Sequence, residues 1–326
     1  MTKTAYVTGS TGFLGLNIVQ ELVNEGWDVI TLRRKSSNTA DLNQFNVKQV
    51  EGDVLNRASL EATIPDNVDA IFHVAADTGL WFKHNERQNK INIEGTRNLV
   101  EMALLKKAKR LIHTSSIGAY GNVDGEIKED TPSKALTSGI NYYRSKYLAE
   151  QEIHKGISQG LDAVILNPAQ IVGPFDYNYT PQIIDTIQRG AMKGIPHGGV
   201  CCGHVRDYAK AHLAAFEKGR TGENYLLGGK HASFQEMFDT VGAMLNKPIP
   251  TTKLPRPLLN ATAFVMDKLS HLTGKEPLLT PEKVALMNYT MHINSEKAEK
   301  ELGFSTCSID EMYLDCYQWM QRSGMV

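Results

Sequence analysis

The feature that most constrains this chain stands at its start. An apolar stretch, Thr4 to Thr8, runs directly into Gly9-Ser10-Thr11-Gly12-Phe13-Leu14-Gly15. Glycines three residues apart, placed between a buried strand and an amphipathic segment, demand a tight turn and close backbone approach. The segment that follows is helical in pattern: Leu14, Ile18, Leu22 and Val23 share one face between Phe13 and Glu25, and Gly26 lies just past its end. Val29 to Leu32 then reads as a second strand. A strand that turns at once into a helix, followed by another strand, commits the chain to parallel pairing.

The same rhythm continues through the first half. Val47 to Val50, Ala70 to Val74, Arg110 to Thr114 and Ala163 to Leu166 read as strands. Helices are expected through Leu99, Val100, Ala103 and Leu104, and from Tyr142 to His154. The predicted fold class is therefore α/β, a doubly wound parallel sheet of the Rossmann type with helices on both faces. After Pro168 the pattern breaks into Gly173-Pro174, Gly194-Ile195-Pro196 and Gly198-Gly199, which read as loops around short elements. From about Phe234 the chain is mostly helical, with Leu-Pro-Arg-Pro at 254 to 257 as a hinge-like connection and Met312 to Met320 as a terminal helix. At 326 residues the chain exceeds the size at which one core usually stops growing. We expect residues 1–172 with about 203–230 to form one domain, and about 173–202 with 231–326 to form a smaller, mainly helical C-terminal substrate lobe.

Composition narrows the partners. Lysine plus arginine (35) balance aspartate plus glutamate (36), so no overall field draws the chain to nucleic acid or an anionic membrane. No run reaches the length of a membrane span, and the start leaves no room for a signal segment. Cys201, Cys202, Cys307 and Cys316 form neither a CxxC pair nor a disulfide framework, and no HExxH motif supports a metal site. A cytoplasmic protein acting on a small molecule is expected, and the sequons at Asn178, Asn260 and Asn288 read as chance matches.

The glycine turn has the form of a dinucleotide site. Gly9 permits the turn, Gly12 lets the backbone approach a pyrophosphate, Gly15 allows close packing, and the helix N-terminus offers free N–H groups to the anion. Thr11, Phe13 and Leu14 belong to the same cradle. Where an acidic residue would hold a ribose hydroxyl, the second strand ends in Arg33, Arg34 and Lys35, cations that suit a 2′-phosphate. NADP (as NADPH) is the expected cofactor, with NAD as the alternative. Asp53, with Val54 beside it, is placed to accept from an adenine amino group. Ala75 and Ala76, and Thr114, close the fourth and fifth strands where the cofactor would cross the sheet's carboxyl edge.

Tyr142 and Lys146 are four apart on a predicted helix, so both leave the same face about one turn apart. An ammonium about 4 Å from the phenol would contribute roughly 4 kcal/mol at an effective dielectric of ~20, about 3 pK units, bringing a tyrosine toward proton exchange near neutrality. Ser116, at the end of the fifth strand, faces the same crevice.

These segments, TGSTGFLG at 8 to 15, SSIGAYG at 115 to 121, YYRSK at 142 to 146 and NPAQIVGP at 167 to 174, resemble the extended class of the short-chain dehydrogenase/reductase superfamily over nearly the whole chain. The resemblance implies that Ser116 orients a substrate oxygen and that Tyr142 and Lys146 are the catalytic pair, with Ser115 and Tyr143 as neighbours. It places Pro168 and Ala169 near the nicotinamide and gives Asn92 a structural role. The stretch 203 to 212 with 222 to 229, and Arg34, is similar to the dihydroflavonol-reductase-like bacterial branch. That branch implies NADPH-dependent reduction of a carbonyl, in a homodimer paired through the helices around 99–104 and 142–154. The rival reading is a nucleotide-sugar epimerase or dehydratase that keeps its cofactor. Two pairs stay open: His204 and Arg206 face substrate or anchor the returning chain, and Trp81 and Phe82 line a pocket or pack the lobe.

Overall fold

The structure is a computed structural model that describes residues 2–326. Its chain opens with β1 (Thr4–Thr8), α1 (Phe13–Asn24), β2 (Asp28–Arg33), β3 (Lys48–Glu51), α2 (Arg57–Thr63) and β4 (Ala70–His73). The short α3 (Asn85–Asn89) passes through a π-helical turn, Lys90–Glu94, into α4 (Gly95–Leu105), and β5 (Arg110–Thr114) follows. Beyond β6 (Glu126–Ile127) come α5 (Asn141–Ser158), β7 (Ala163–Pro168), β8 (Gln170–Val172), α6 (Tyr179–Gln188), β9 (Gly199–His204), α7 (Val205–Lys218) and β10 (Asn224–Leu227). The remainder is β11 (Lys230–Ser233), α8 (Phe234–Leu245), α9 (Arg256–Thr273), α10 (Pro281–Met287), β12 (His292–Ile293), α11 (Glu296–Leu302) and α12 (Ile309–Arg322).

Seven strands form one parallel sheet in the order β3-β2-β1-β4-β5-β7-β10. Every residue of β4 and β7 is buried, which is why these strands read as unbroken apolar runs. One face packs Leu16, Ile18 and Leu22 of α1 with Tyr208 and Ala209 of α7. The other packs Leu60 of α2, Leu99 and Val100 of α4 and Ile153 of α5. Strand order reverses between β1 and β4, so the loops leaving these two strands part and open a crevice at their carboxyl ends.

The first-half elements fall within a few residues of their expected limits. Beyond them the structure differs from the sequence reading in several places, among them a seventh strand, β10, in the main sheet. β7 runs through Pro168, and the glycine-rich stretches read as loops contain a second sheet, β11-β9-β8, in which both Gln170 and Lys230 register on Cys202. Leu-Pro-Arg-Pro is no hinge: Pro255 caps α9 and Pro257 sits in its first turn, where a missing N–H costs nothing.

Candidate active site

The glycine turn joins β1 to α1 at the crevice. Gly9 has φ of +71°, and a Cβ there would lie 2.5 Å from the Ala75 amide nitrogen, so only glycine fits. A Cβ on Gly15 would stand 2.1 Å from the Gly9 carbonyl oxygen, so Gly15 lets the helix press on the turn itself rather than on the strand. Gly12 caps α1 without a side-chain bond, and no acidic residue occupies the first turn. The positive end of the helix is thus presented to the crevice, with Thr11 and Phe13 part-exposed beside it and Leu14 buried in the core beneath. A turn this tight at the N-terminus of α1, its first N–H groups free of side-chain caps, fits a dinucleotide's pyrophosphate.

At the end of β2 the three cations separate. Arg33 pairs with Glu51 at 3.3 Å, while Arg34 and Lys35 border a cleft with Gly52, Asp53, Asn56 and Ser59. One Asp53 oxygen accepts the Leu55 N–H at 2.9 Å, and the Asp53 N–H donates to Ser59 Oγ at 3.1 Å, which fixes the loop. Val54 is buried against Gly95, and its carbonyl accepts from Asn98 at 3.0 Å. β4 ends at His73, so Ala75 and Ala76 lie beyond the strand, and the Ala75 N–H donates to Thr8 Oγ1 at 3.3 Å.

Ser116, Tyr142 and Lys146 converge at the carboxyl ends of β5 and β7. Ser116 caps the turn after β5, its Oγ accepting the Gly118 N–H at 3.1 Å. Ser116 and Tyr142 are part-exposed, whereas their neighbours Ser115 and Tyr143 are buried. Tyr143 fills the space a Cβ on Gly118 would need, 2.4 Å away, and is a packing residue. Lys146 is buried and donates from Nζ to the Thr114 carbonyl at 2.9 Å.

The electrostatics correct one expectation. Burial raises the Tyr142 phenol above its ordinary value, and the Ser116 side chain, hydrogen-bonded to it, only partly offsets this. The shift of the phenol comes from burial and Ser116 rather than from Lys146, whose Nζ donates to the Thr114 carbonyl and whose own pKa is pushed down to about 8 by desolvation, against the pull of Glu150. In this structure the lysine, not the tyrosine, is moved toward neutrality.

A family model described as the NAD dependent epimerase/dehydratase family matches residues 5–228. The chain belongs to that family. A relative from Synechocystis sp. with a provisional dihydroflavonol 4-reductase name is 33% identical over all of this chain and 97% of its own length. Sterol demethylase protein B of Methylococcus capsulatus is 29% identical, covering 99% of this chain and 100% of its own. The crystal structure of gox2253 superposes with a TM-score of 0.86 at 33% identity over 99% of both chains. This epimerase/dehydratase family member is thus an NAD(P)-dependent oxidoreductase of the extended short-chain dehydrogenase/reductase class.

Behind the candidate trio, the family member carries a polar web that sequence reading missed. Glu150, one turn beyond Lys146 and fully buried, accepts from Ser115 Oγ at 2.5 Å and Asn167 Nδ2 at 2.7 Å. Asn167 also donates to the Ser116 carbonyl at 3.0 Å and accepts from Asn224 at 2.9 Å. One carboxylate therefore ties α5, β5 and β7 together where the site forms. The four-residue spacing of Tyr142, Lys146 and Glu150 was the available signal. Deeper still, His73 bridges Thr8 (2.8 Å) and Thr96 (2.9 Å), and His212 accepts from the Thr114 hydroxyl at 2.9 Å while donating to the Tyr208 carbonyl at 2.7 Å. His113, 2% exposed, has no partner for either ring nitrogen. Burial lowers all three: His73 to about 3, His212 to about 4, and His113 well below its ordinary value.

The open pairs resolve. His204 and Arg206 both bond Asp315 of α12, at 3.0 and 3.1 Å, so they anchor the returning chain. Trp81 donates to Ser270 at 3.2 Å and Phe82 stacks on His271 at 4.3 Å, so both pack α9. Asn92, in the π-helical turn, grips Asp77 through its N–H (2.7 Å) and carbonyl (2.9 Å), and donates to Ser145 (2.9 Å), a structural role. Pro168 closes β7, and the Ala169 N–H donates to Leu227 at 2.9 Å. The cysteines are free thiols, and no helix among the described residues is long and apolar enough to cross a membrane.

Proposed function

We propose that this protein reduces a ketone or aldehyde to an alcohol with NADPH. The observation that carries the reading is the convergence of part-exposed Ser116 and Tyr142 with buried Lys146 at the carboxyl edge of the parallel sheet, the edge on which the glycine turn also lies. Bound NADPH supplies the hydride. Tyr142, whose phenol stays protonated because desolvation raises its pKa, donates its proton to the carbonyl oxygen as negative charge develops there. Ser116 donates a hydrogen bond to the same oxygen, stabilising that charge. Lys146 would hold the nicotinamide ribose, with Pro168 and Ala169 flanking the ring and Thr114 beneath. Arg34 and Lys35, free of carboxylate partners, would hold the 2′-phosphate, and Asp53 the adenine. The named reductases among the relatives, including 2-alkyl-3-oxoalkanoate reductase of Shewanella oneidensis, 27% identical over 94% of this chain, support the reading.

The lobe division belongs to the same proposal. β10 returns to the main sheet after residues 170–204 have left it, in keeping with a dinucleotide domain of residues 1–172 and about 203–230 and a substrate lobe of 173–202 and 231–326. A homodimer through α4 and α5, in the cytoplasm, completes it. Light scattering at micromolar concentration tests the first of these, and a monomer there sinks it.

The deciding experiment releases any co-purifying cofactor, then titrates the emptied protein with NADPH and NADH by nicotinamide fluorescence. Loose, NADPH-selective binding followed by turnover of aldehydes or ketones is expected. Tightly held NAD, with no net oxidation of added NADPH, overturns the proposal in favour of a nucleotide-sugar epimerase or dehydratase.

A further inference from the structure

Helix α9 carries apolar residues on two opposite faces but is buried on one side only. Leu259, Ala263 and Ser270 point inward, onto a small cluster with Val284 of α10 and Trp81. Leu258, Val265 and Leu272, seven residues apart, form a stripe on the opposite face, flanked by Phe264 and Leu269; these five are 53–86% exposed. Leu278, just past the helix, is 74% exposed and extends the patch. A helix with apolar residues on two opposite faces is normally covered on both, and contiguous exposed apolar surface of this kind marks a contact.

The charges around the stripe say with what. Between Lys253 and Thr280 the carboxylates are Asp267 and Glu276: the Asp267 side chain is only 17% exposed, and Glu276 lies 2.9 Å from Lys283. Lys253, Arg256, Lys268 and Lys275 are exposed, and none enters an ion pair among the described residues. Lys268 projects from the stripe itself, its ammonium 5.3 Å from the Phe264 ring. A second copy related by a two-fold axis would bring these cations against their own images, without a carboxylate to meet them. An anionic lipid surface meets both demands at once: acyl chains take the leucines and headgroups take the ammoniums.

We propose that α9 seats this protein on anionic membranes as an interfacial helix. The overall charge balance gives no such pull, so the attraction is local to this helix. The proposal does not depend on the reduction proposed above, and the two fail separately.

The full chain is sedimented with vesicles of equal parts phosphatidylglycerol and phosphatidylcholine, and with phosphatidylcholine alone. It is expected to pellet with the anionic vesicles and to lose that binding as salt rises. Leu269→Glu/Leu272→Glu is expected to reduce it by about tenfold or more, since two exposed leucines that would enter the acyl region become two like charges facing the lipid. An unchanged thermal melt by circular dichroism checks that the variant is folded, as expected for two substitutions on an exposed face. No pelleting overturns the proposal, as does equal pelleting with both vesicles or unchanged pelleting of the double variant. Concentration-dependent self-association abolished by the same variant, without lipid binding, overturns it in favour of a second copy.

Discussion

Ser115 and Ser116 are neighbours with opposite fates, and so are Tyr142 and Tyr143. In each pair one side chain is buried in the scaffold, Ser115 bonded to Glu150 and Tyr143 packed against Gly118, and the other reaches the crevice. Tyr142→Phe is therefore expected to lower kcat by about a thousandfold, within the range general acid catalysis supplies, and to leave NADPH affinity within about twofold. A comparable loss of NADPH binding would mean that the phenol serves the fold. Arg33 and Arg34 differ in the same way. Arg34→Ala should weaken NADPH by roughly tenfold to a hundredfold without changing NADH, whereas Arg33→Ala, which frees Glu51, should change neither cofactor by more than about threefold. Lys146 carries the pH dependence. Its pKa of about 8 lies below its ordinary value, so the ammonium that would hold the ribose is lost as pH rises through 8. NADPH affinity, followed by fluorescence from pH 7 to 9.5, should fall by up to about tenfold per unit above pH 8. A flat profile would show that Lys146 does not titrate there.

Among the elements, the first six parallel strands were legible because most are short apolar runs punctuated by helical periodicity, with the polar edge strand β3 placed by that rhythm, and the glycine turn fixed the first of them. The second sheet was not. β8 is three residues long, and β9 is Gly-Val-Cys-Cys-Gly-His, whose glycines read as loop; its identity comes from partners at 170 and 230, far along the chain. The candidate trio was legible from spacing and strand ends, but Glu150 and the histidines behind it were not, since an isolated glutamate on a helix normally faces water. The junction of β1 and α1 offers its own test. Gly15→Ala puts a Cβ on the Gly9 carbonyl, so NADPH binding should drop by about tenfold or more and thermal stability should fall with it, by about 2 kcal/mol. Retained binding would show that the turn relaxes freely.

For the molecule as a whole, the three buried histidines set its tolerance of acid. Each has a folded-state pKa below the unfolded value near 6.5, so as pH falls the unfolded chain takes up protons first and stability is lost from about pH 6.5 downward. Each contributes about 1.4 kcal/mol per pH unit, roughly 4 kcal/mol together, with Glu150, pushed up by burial, offsetting part. Urea unfolding at pH 7, 6 and 5 should show that decline, and His113→Phe, which removes a partnerless ring, should flatten it by about a third. An unchanged slope would place the acid sensitivity elsewhere. The web that joins Asn224 to Asn167, Glu150 and Ser116 bears on synthesis as well. While the ribosome has delivered only the first six strands of the sheet, β7 is its open edge and Asn167 has no partner from β10. The nascent chain can assemble its nucleotide half early, but the last hydrogen bond behind the serine is made only when residue 224 emerges, so the site matures after the scaffold that carries it.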